Sequence, residues 1–347
     1  MFTLTRQDTS VMKGIAISAM LCHHLYGIPL DGVEHYSGVL AWFGVLGKVC
    51  VALFLFCSGY GLSVNYKSLS ILDDIKFVIK RLLKFYLNYW IIFLIFVPIT
   101  IFVFHRSLTD AYAQGSNIAL CFVKDLLGLQ GVCSYDTTWW FNQLIIILYL
   151  IFPLLYRVAQ HVPWLILIIS LVVMRMAYHL PHNSIDFFTW QFPFVIGIVW
   201  FLYEKKFLKM TFWLKDHIFT FAICSIVLTS ISVFLRMLPI IPSWTGIRID
   251  ALLTCSVALM VVSVGRYMPR TSSVFAFLGQ HSMNIYLMHT FFNVFYCREW
   301  LHSCEWLRGG GNFILLIIIC LLVSIGIEFL KEKIRLYEFV NYITKRI

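Results

Sequence analysis

Apolar stretches of about twenty residues recur from Val11 to Phe329 with no long polar interval between them, and roughly that length is what a helix needs to cross about 30 Å of hydrocarbon. Backbone groups in lipid must find their hydrogen bonds inside the segment, so each stretch is expected to be a helix rather than an isolated strand. About ten spans are expected, over residues 12–30, 41–64, 86–104, 138–157, 162–180, 188–203, 216–238, 248–265, 273–296 and 312–330. The chain is 60% hydrophobic and 13% charged, against about 45–50% apolar and 25% charged in a soluble domain. A water-facing globule is excluded. The expected fold is all-α, a polytopic integral membrane bundle forming one domain over residues 1–347.

The formal charge of +10 is explained by topology without nucleic acid, because cytoplasmic loops of membrane proteins collect Lys and Arg. With the N-terminus inside, Arg6, Lys13, Lys67, Lys76, Lys80, Arg81, Lys84, Arg157, Lys205, Lys206, Lys209, Lys215, Arg266, Arg270, Lys331, Lys333, Arg335, Lys345 and Arg346 fall on the cytoplasmic side. Only Arg106, Lys124, Arg298 and Arg308 fall in outer loops. Both termini are therefore expected to be cytoplasmic. The first apolar segment has no small-residue cleavage site and is expected to be retained as the first helix. The tail 331–347 mixes Lys, Arg, Glu and aromatics like an amphipathic helix lying on the anionic inner leaflet. The longest connection, 105–137, carries an apolar patch from Ile118 to Leu129 that reads as an interfacial helix or a re-entrant element over the outer mouth of a site.

The ten cysteines show no metal-ligand spacing, and no metal site is expected. Cys22, Cys50, Cys57, Cys224, Cys255 and Cys320 lie in apolar segments, where cysteine usually acts as a small hydrophobe. Cys121 with Cys133, and Cys297 with Cys304, fall in outer connections where an oxidising compartment would permit disulfides.

Polar and ionisable groups inside spans are expensive and mark candidate sites. Lys13 and His24 are separated by about three helical turns, so they project from one face roughly 16 Å apart along the axis. Lys13 suits an anionic ligand at the cytoplasmic mouth, and His24, with His23 beside it, suits proton transfer deeper in the membrane. Ser282, Tyr286, His289 and Asn293 form a second stripe at spacings of 4, 3 and 4, which brings His289 to a depth comparable with His24. Lys80, Arg81 and Lys84 form a basic run able to hold phosphates. Arg175, Arg236 and Arg248 lie toward the outer ends of spans, with Asp250 a natural partner for Arg248. Snorkelling lysines, interhelical hydrogen bonds and ordinary positive-inside charge are the structural alternatives for these groups.

The sequence resembles the acyltransferase family 3 membrane proteins across most of its length. The first helix reads KGIAISAMLCHH, similar to the family's basic residue, ten intervening residues and histidine, at Lys13 and His24. Further matches are VCVALFLFCSGYGLS ending at Ser58 and Gly59, RLLK at Arg81 and Lys84, TWWFNQLIIILYLIFPLL with Trp140, Tyr149 and Pro153, and LGQHSMNIYLMH ending at His289. Lys13 and Lys84 stand where arginine is commoner, and lysine keeps the charge but loses the bidentate fork.

The resemblance implies transfer of an acyl group, expected to be acetyl, from cytoplasmic acyl-CoA to a hydroxyl of a sugar or surface glycan, with a bacterial inner membrane as the location. Acyl-CoA is then the donor substrate and the acceptor is a glycan, in some cases lipid-linked. In that reading Lys13, Arg81 and Lys84 hold the CoA phosphates. His24 is the general base, while His289, Tyr286 or Ser282 orients a group or donates to the oxyanion. A transporter or flippase for a lipid-linked sugar is the principal rival, since it also needs polar groups at mid-membrane.

Overall fold

The structure is a computed structural model that describes residues 3–28, 30–33, 35–67, 70–113, 115, 117–177, 185–210, 217–238, 243–307 and 310–346. Lys215 and Arg308, counted above for topology, lie outside the described residues. Among those described, every regular element is helical. In order they are α1 (Arg6–Cys22), α2 (Gly38–Leu46), α3 (Cys50–Asn65), α4 (Ile71–Phe102), α5 (Leu108–Ala111), α6 (Ile118–Leu126), α7 (Trp140–His161) and α8 (Pro163–Ala177). There follow α9 (Ile185–Met210), α10 (Ile218–Met237), α11 (Ser243–Val264), α12 (Pro269–Gln280), α13 (Ser282–Thr290), α14 (Arg298–Ser303), α15 (Gly311–Lys333) and α16 (Leu336–Arg346).

Six helical stretches among the described residues are long and apolar enough to cross a membrane: Gly38–Asn65, Ile71–Phe102, Thr137–His161, Phe187–Lys206, Ile218–Met237 and Gly311–Lys333. The expected count of about ten is thus met only in part, and for three of the four remaining spans the reasons are local. α1 carries Arg6, Asp8 and Lys13, α8 is 15 residues long, and the expected ninth span is broken at His281 into α12 and α13. The outward faces of α10 and α15 are lined by apolar side chains, including Phe219, Ile226, Phe234, Ile314, Leu322 and Phe329. An apolar belt of that extent is stable against lipid and not against water.

The chain divides into two compact groups. The first comprises residues 1–28, 35–66 and 152–282. Its helix pairs approach so closely that backbone meets backbone. A Cβ on Gly14 of α1 would stand 1.9 Å from the carbonyl oxygen of Phe275 on α12, and one on Gly279 would stand 1.9 Å from that of Ser10. The α3–α9 pair repeats the device, Gly59 against Phe194 at 2.1 Å and Gly197 against Phe56 at 2.3 Å. Small residues at such crossings let dispersion act over the whole backbone where lipid offers no hydrophobic drive. α1 begins with a capping box, the Thr5 hydroxyl taking the Asp8 N–H while the Asp8 carboxylate takes the Thr5 N–H.

The second group comprises residues 29–34, 67–151 and 283–347. The apolar patch expected over 118–129 forms α6. Its C-terminal carbonyls, orphaned as at any helix end, are taken by side chains of α4: Tyr89 donates to the Asp125 carbonyl at 2.6 Å, Trp90 to Leu126 at 2.8 Å and Tyr86 to Leu127 at 3.0 Å. Tyr86 to Trp90 lie about 18–24 Å along α4 from Phe102, at 1.5 Å rise per residue. The connection therefore packs along the side of α4 instead of lying across its end.

At the other end of this group Lys331 corrects its sequence-based placement. The sequence assigns it to the amphipathic tail, yet it stands within α15 and its side chain is 0% exposed. Its ammonium donates to Asn88 Oδ1 at 2.7 Å, Asn284 Oδ1 at 2.8 Å and Glu328 Oε1 at 2.8 Å. All three N–H groups have acceptors, which is what allows a lysine to be buried. The amphipathic tail begins only beyond it. α16 buries Leu336 and Val340 and exposes Tyr337, Phe339 and Tyr342, and Tyr337 donates to Glu328.

Candidate functional site

In the first group α1 carries Lys13 and then, at His23, gives way to a π turn over His23–Gly27. Such turns are rare and recur at functional sites. The turn separates the roles of the two histidines. His23 Nδ1 lies 2.8 Å from the Gly44 carbonyl, so this nitrogen carries its proton and the ring is tied to α2. His24 is half-buried beside it, its ring edge-on to His23 at 5.3 Å between centroids. Lys13 is likewise half-buried.

Arg236 and Asp250 also belong to this group, and here the expected pairing is corrected. Asp250 Oδ1 accepts from Arg236 Nε at 2.7 Å, so Arg236 on α10, and not Arg248 two residues away on α11, neutralises it. Arg248 is two positions from Asp250 on one helix, and residues so spaced do not face each other. Asp250 is 0% exposed and its Oδ2 has no partner. Lys48, 5.9 Å from the centre of the Trp190 ring, adds its charge to that of Arg236 around both Asp250 and His23. Arg175 closes α8. Ser282 opens α13 and is the last residue of this group, so the polar stripe expected over Ser282, Tyr286, His289 and Asn293 begins here and continues in the second group.

In the second group Arg81 and Lys84 stand one turn apart on α4, the Arg81 guanidinium lying over the Phe77 ring at 5.2 Å and Lys84 exposed. Tyr286 and His289 enter a buried polar network that includes residues the sequence did not single out. Tyr286 donates its hydroxyl toward the Thr138 carbonyl and Asn142 Oδ1, each at 3.1 Å. His289, 0% exposed, has Nδ1 2.8 Å from the Tyr286 carbonyl and Nε2 3.2 Å from Thr290 Oγ1. Thr290 Oγ1 lies 3.3 Å from Thr138 Oγ1, and Thr138 donates to Asp136 Oδ1 at 2.7 Å. Asp136 Oδ2 and Asn142 Nδ2 are buried with no partner. Asn293 leaves the stripe. It sits in a second π turn, Phe291–Tyr296, and its Oδ1 accepts from His302 Nε2 at 2.9 Å.

Beside this network Asp125 gathers the connection between α4 and α7. Its Oδ2 takes the Tyr112 hydroxyl at 2.7 Å and the Tyr135 N–H at 2.6 Å. Arg106 donates to the Tyr135 carbonyl at 2.7 Å and lies 4.6 Å from the centre of that ring. Burial pushes the carboxyls of Asp125 and Asp136 up, against the pull of these donors.

Sequence reasoning passed over Asp136, Thr138, Asn142 and Thr290. One signal was present: Asp136-Thr-Thr before an apolar run has the form of a helix N-cap, and Asp136 Oδ1 does accept the Thr138 N–H at 2.8 Å. All ten cysteines are free thiols, so neither outer pair forms a disulfide.

Comparison with curated proteins and with solved structures gives no match. Residues 8–331 match the model of the acyltransferase 3 family, described as an acyltransferase domain. That match takes in α1 with its lysine and histidines, the basic turn of α4 and the His289 network, and with nearly the whole chain covered the protein belongs to this family of acyltransferases.

Proposed function

We propose that this membrane acyltransferase moves an acetyl group from cytoplasmic acetyl-CoA to a hydroxyl of a sugar or surface glycan on the far side of a bacterial inner membrane, with both termini cytoplasmic. The observation that carries the reading is the placement of Lys13 and His24 on one helix. The lysine stands about eleven residues, or roughly 16 Å, before the histidine, and the histidine falls in a π turn whose other histidine is engaged by Gly44.

In this reading Lys13, Arg81 and Lys84 bind the phosphates of the donor by charge-assisted hydrogen bonds. The imidazole of His24 removes the acceptor's hydroxyl proton as its oxygen bonds to the thioester carbonyl. The C–S bond then breaks and the proton leaves on the CoA thiol, so the base is regenerated. A donor aimed at the carbonyl oxygen stabilises the tetrahedral intermediate, for which the network of Tyr286 and His289 is the candidate. Arg175, Arg236 and Arg248, with His23 and Ser282, are assigned to acceptor binding and orientation, and Asn293 with its His302 partner to support of the second π turn.

The test is transfer of label from acetyl-labelled CoA to glycan in membrane vesicles that contain the protein, against vesicles that lack it. Label in glycan only when the protein is present supports the transferase. Movement of a lipid-linked sugar across the membrane with no acylated product would favour a flippase instead.

A further inference from the structure

We infer that Asp136 is the proton partner of His289, joined to it through the hydroxyls of Thr290 and Thr138. The four side chains form one unbroken line, with separations of 3.2 Å from His289 Nε2 to Thr290 Oγ1, 3.3 Å on to Thr138 Oγ1 and 2.7 Å on to Asp136 Oδ1. His289 Nδ1 faces the Tyr286 carbonyl at 2.8 Å and must carry hydrogen there, because a carbonyl only accepts. Nε2 is therefore the nitrogen that gains or loses a proton, and it is the one that faces the line.

The line has two self-consistent hydrogen-bond arrangements. With His289 protonated, Nε2–H donates to Thr290, Thr290 to Thr138 and Thr138 to an ionised Asp136. With His289 neutral and Asp136 protonated, every donor reverses: Asp136 gives to Thr138, Thr138 to Thr290 and Thr290 to Nε2. Three proton shifts along the line, each donor passing its proton to the group that accepts from it, interconvert them, with no proton added or lost, no other reactant and no net change of charge. The two longer steps lie at the outer edge of hydrogen-bond range, and charge on the imidazolium shortens such bonds.

A purely structural reading leaves the carboxylate unexplained. Asp136 Oδ1 already caps the turn by taking the Thr138 N–H at 2.8 Å, and asparagine caps as well as aspartate. Aspartate instead places a buried second oxygen, Oδ2, with no donor, in a side chain 2% exposed. Burying half a carboxylate unsatisfied is unfavourable, and the charge it supplies has a use at the far end of the line. The other titratable or charged groups that act on Asp136 are Arg106, Asp125 and Tyr286.

The consequence for turnover rests on the proposed function: a charge developing on His289 would be balanced at Asp136. The proton linkage itself does not rest on it, and the experiment separates the two. In nanodiscs with 15N-labelled histidine, the His289 resonance, identified by its loss in His289→Gln, is titrated in wild type, Asp136→Asn and Thr138→Val. The pH profile of acetyl transfer is recorded for the same proteins and for Thr138→Ser.

Asp136→Asn keeps the cap and is expected to lower the His289 midpoint by about one pH unit. Thr138→Val should reproduce the altered transfer profile of Asp136→Asn, Thr138→Ser should restore the wild-type profile, and the double variant should be no worse than either single one. An unmoved His289 midpoint in Asp136→Asn, or a wild-type profile in Thr138→Val, overturns the linkage. A shifted midpoint in a protein that transfers nothing even as wild type keeps the linkage and overturns the transferase reading.

Discussion

The ammonium of Lys331 holds together groups from three parts of the second group: Asn88 on α4, Asn284 on α13 and Glu328 one turn back on α15. Asn284 in turn donates to Ser324 at 3.0 Å and to Glu328 at 2.8 Å. Replacing Lys331 by methionine keeps the volume but removes the counter-charge of Glu328 and a donor from two amide oxygens, and should destabilise the protein by about 2–3 kcal/mol. The measurement is a thermal melt in detergent. Adding Glu328→Gln to Lys331→Met should return part of the loss, because the unpaired charge is removed with its partner. Nothing in the sequence distinguishes Lys331 from Lys333, two residues on and in the same basic stretch, since two of the three acceptors that bury it lie more than 40 residues away in the chain. Asp136 was hidden for the opposite reason: it lies in a connection, where a carboxylate is ordinarily solvated. His23 and His24, Tyr286 and His289 were legible because a polar side chain in an apolar run has no cheap explanation.

At the scale of elements, hydropathy located α7, α10 and α15 to within a few residues, since lipid fixes both the length and the polarity of a span, and found the apolar parts of α3, α4 and α9, but it placed the start of α4 at residue 86 where the helix begins at Ile71. It could not register how α6 packs along α4, because nothing in nine residues of amphipathic sequence tells whether aromatic side chains of another helix will cap its carbonyls. Nor did periodicity foresee the π turns after α1 and α13, which alter the register that placed Asn293 in line with His289. Helix contacts through glycine are similarly silent in composition but sharp in consequence. Gly14→Ala or Gly279→Ala would drive a methyl into a carbonyl 1.9 Å away. Since backbone cannot rotate aside as a side chain can, α1 and α12 must part. Each change should cost about 1–3 kcal/mol and displace the helix that bears Lys13 and His24. Lower melting temperature together with reduced transfer at matched insertion is the expected result, whereas Gly61→Ala, with nothing within 4 Å of its Cβ position, should leave both unchanged.

For the whole molecule, charge distribution gives a topology that helix geometry does not. The basic start of α4, with Lys76, Lys80, Arg81 and Lys84, and the exposed aromatics and terminal Lys345 and Arg346 of α16 are expected on the same anionic, cytoplasmic face. A fluorescent protein fused after Ile347 should fluoresce and a phosphatase fused there should be inactive; the reverse pattern would invert the assigned orientation. The claim that depends most on this orientation is that donor and acceptor meet from opposite sides. Inverted inner-membrane vesicles supplied externally with acetyl-labelled CoA test it directly. Label on glycan inside the vesicles with wild type, and its loss with His24→Ala at equal insertion, is the predicted result. Equal label from His24→Ala, or label confined to acceptors on the outer face of the inverted vesicles, would contradict the account.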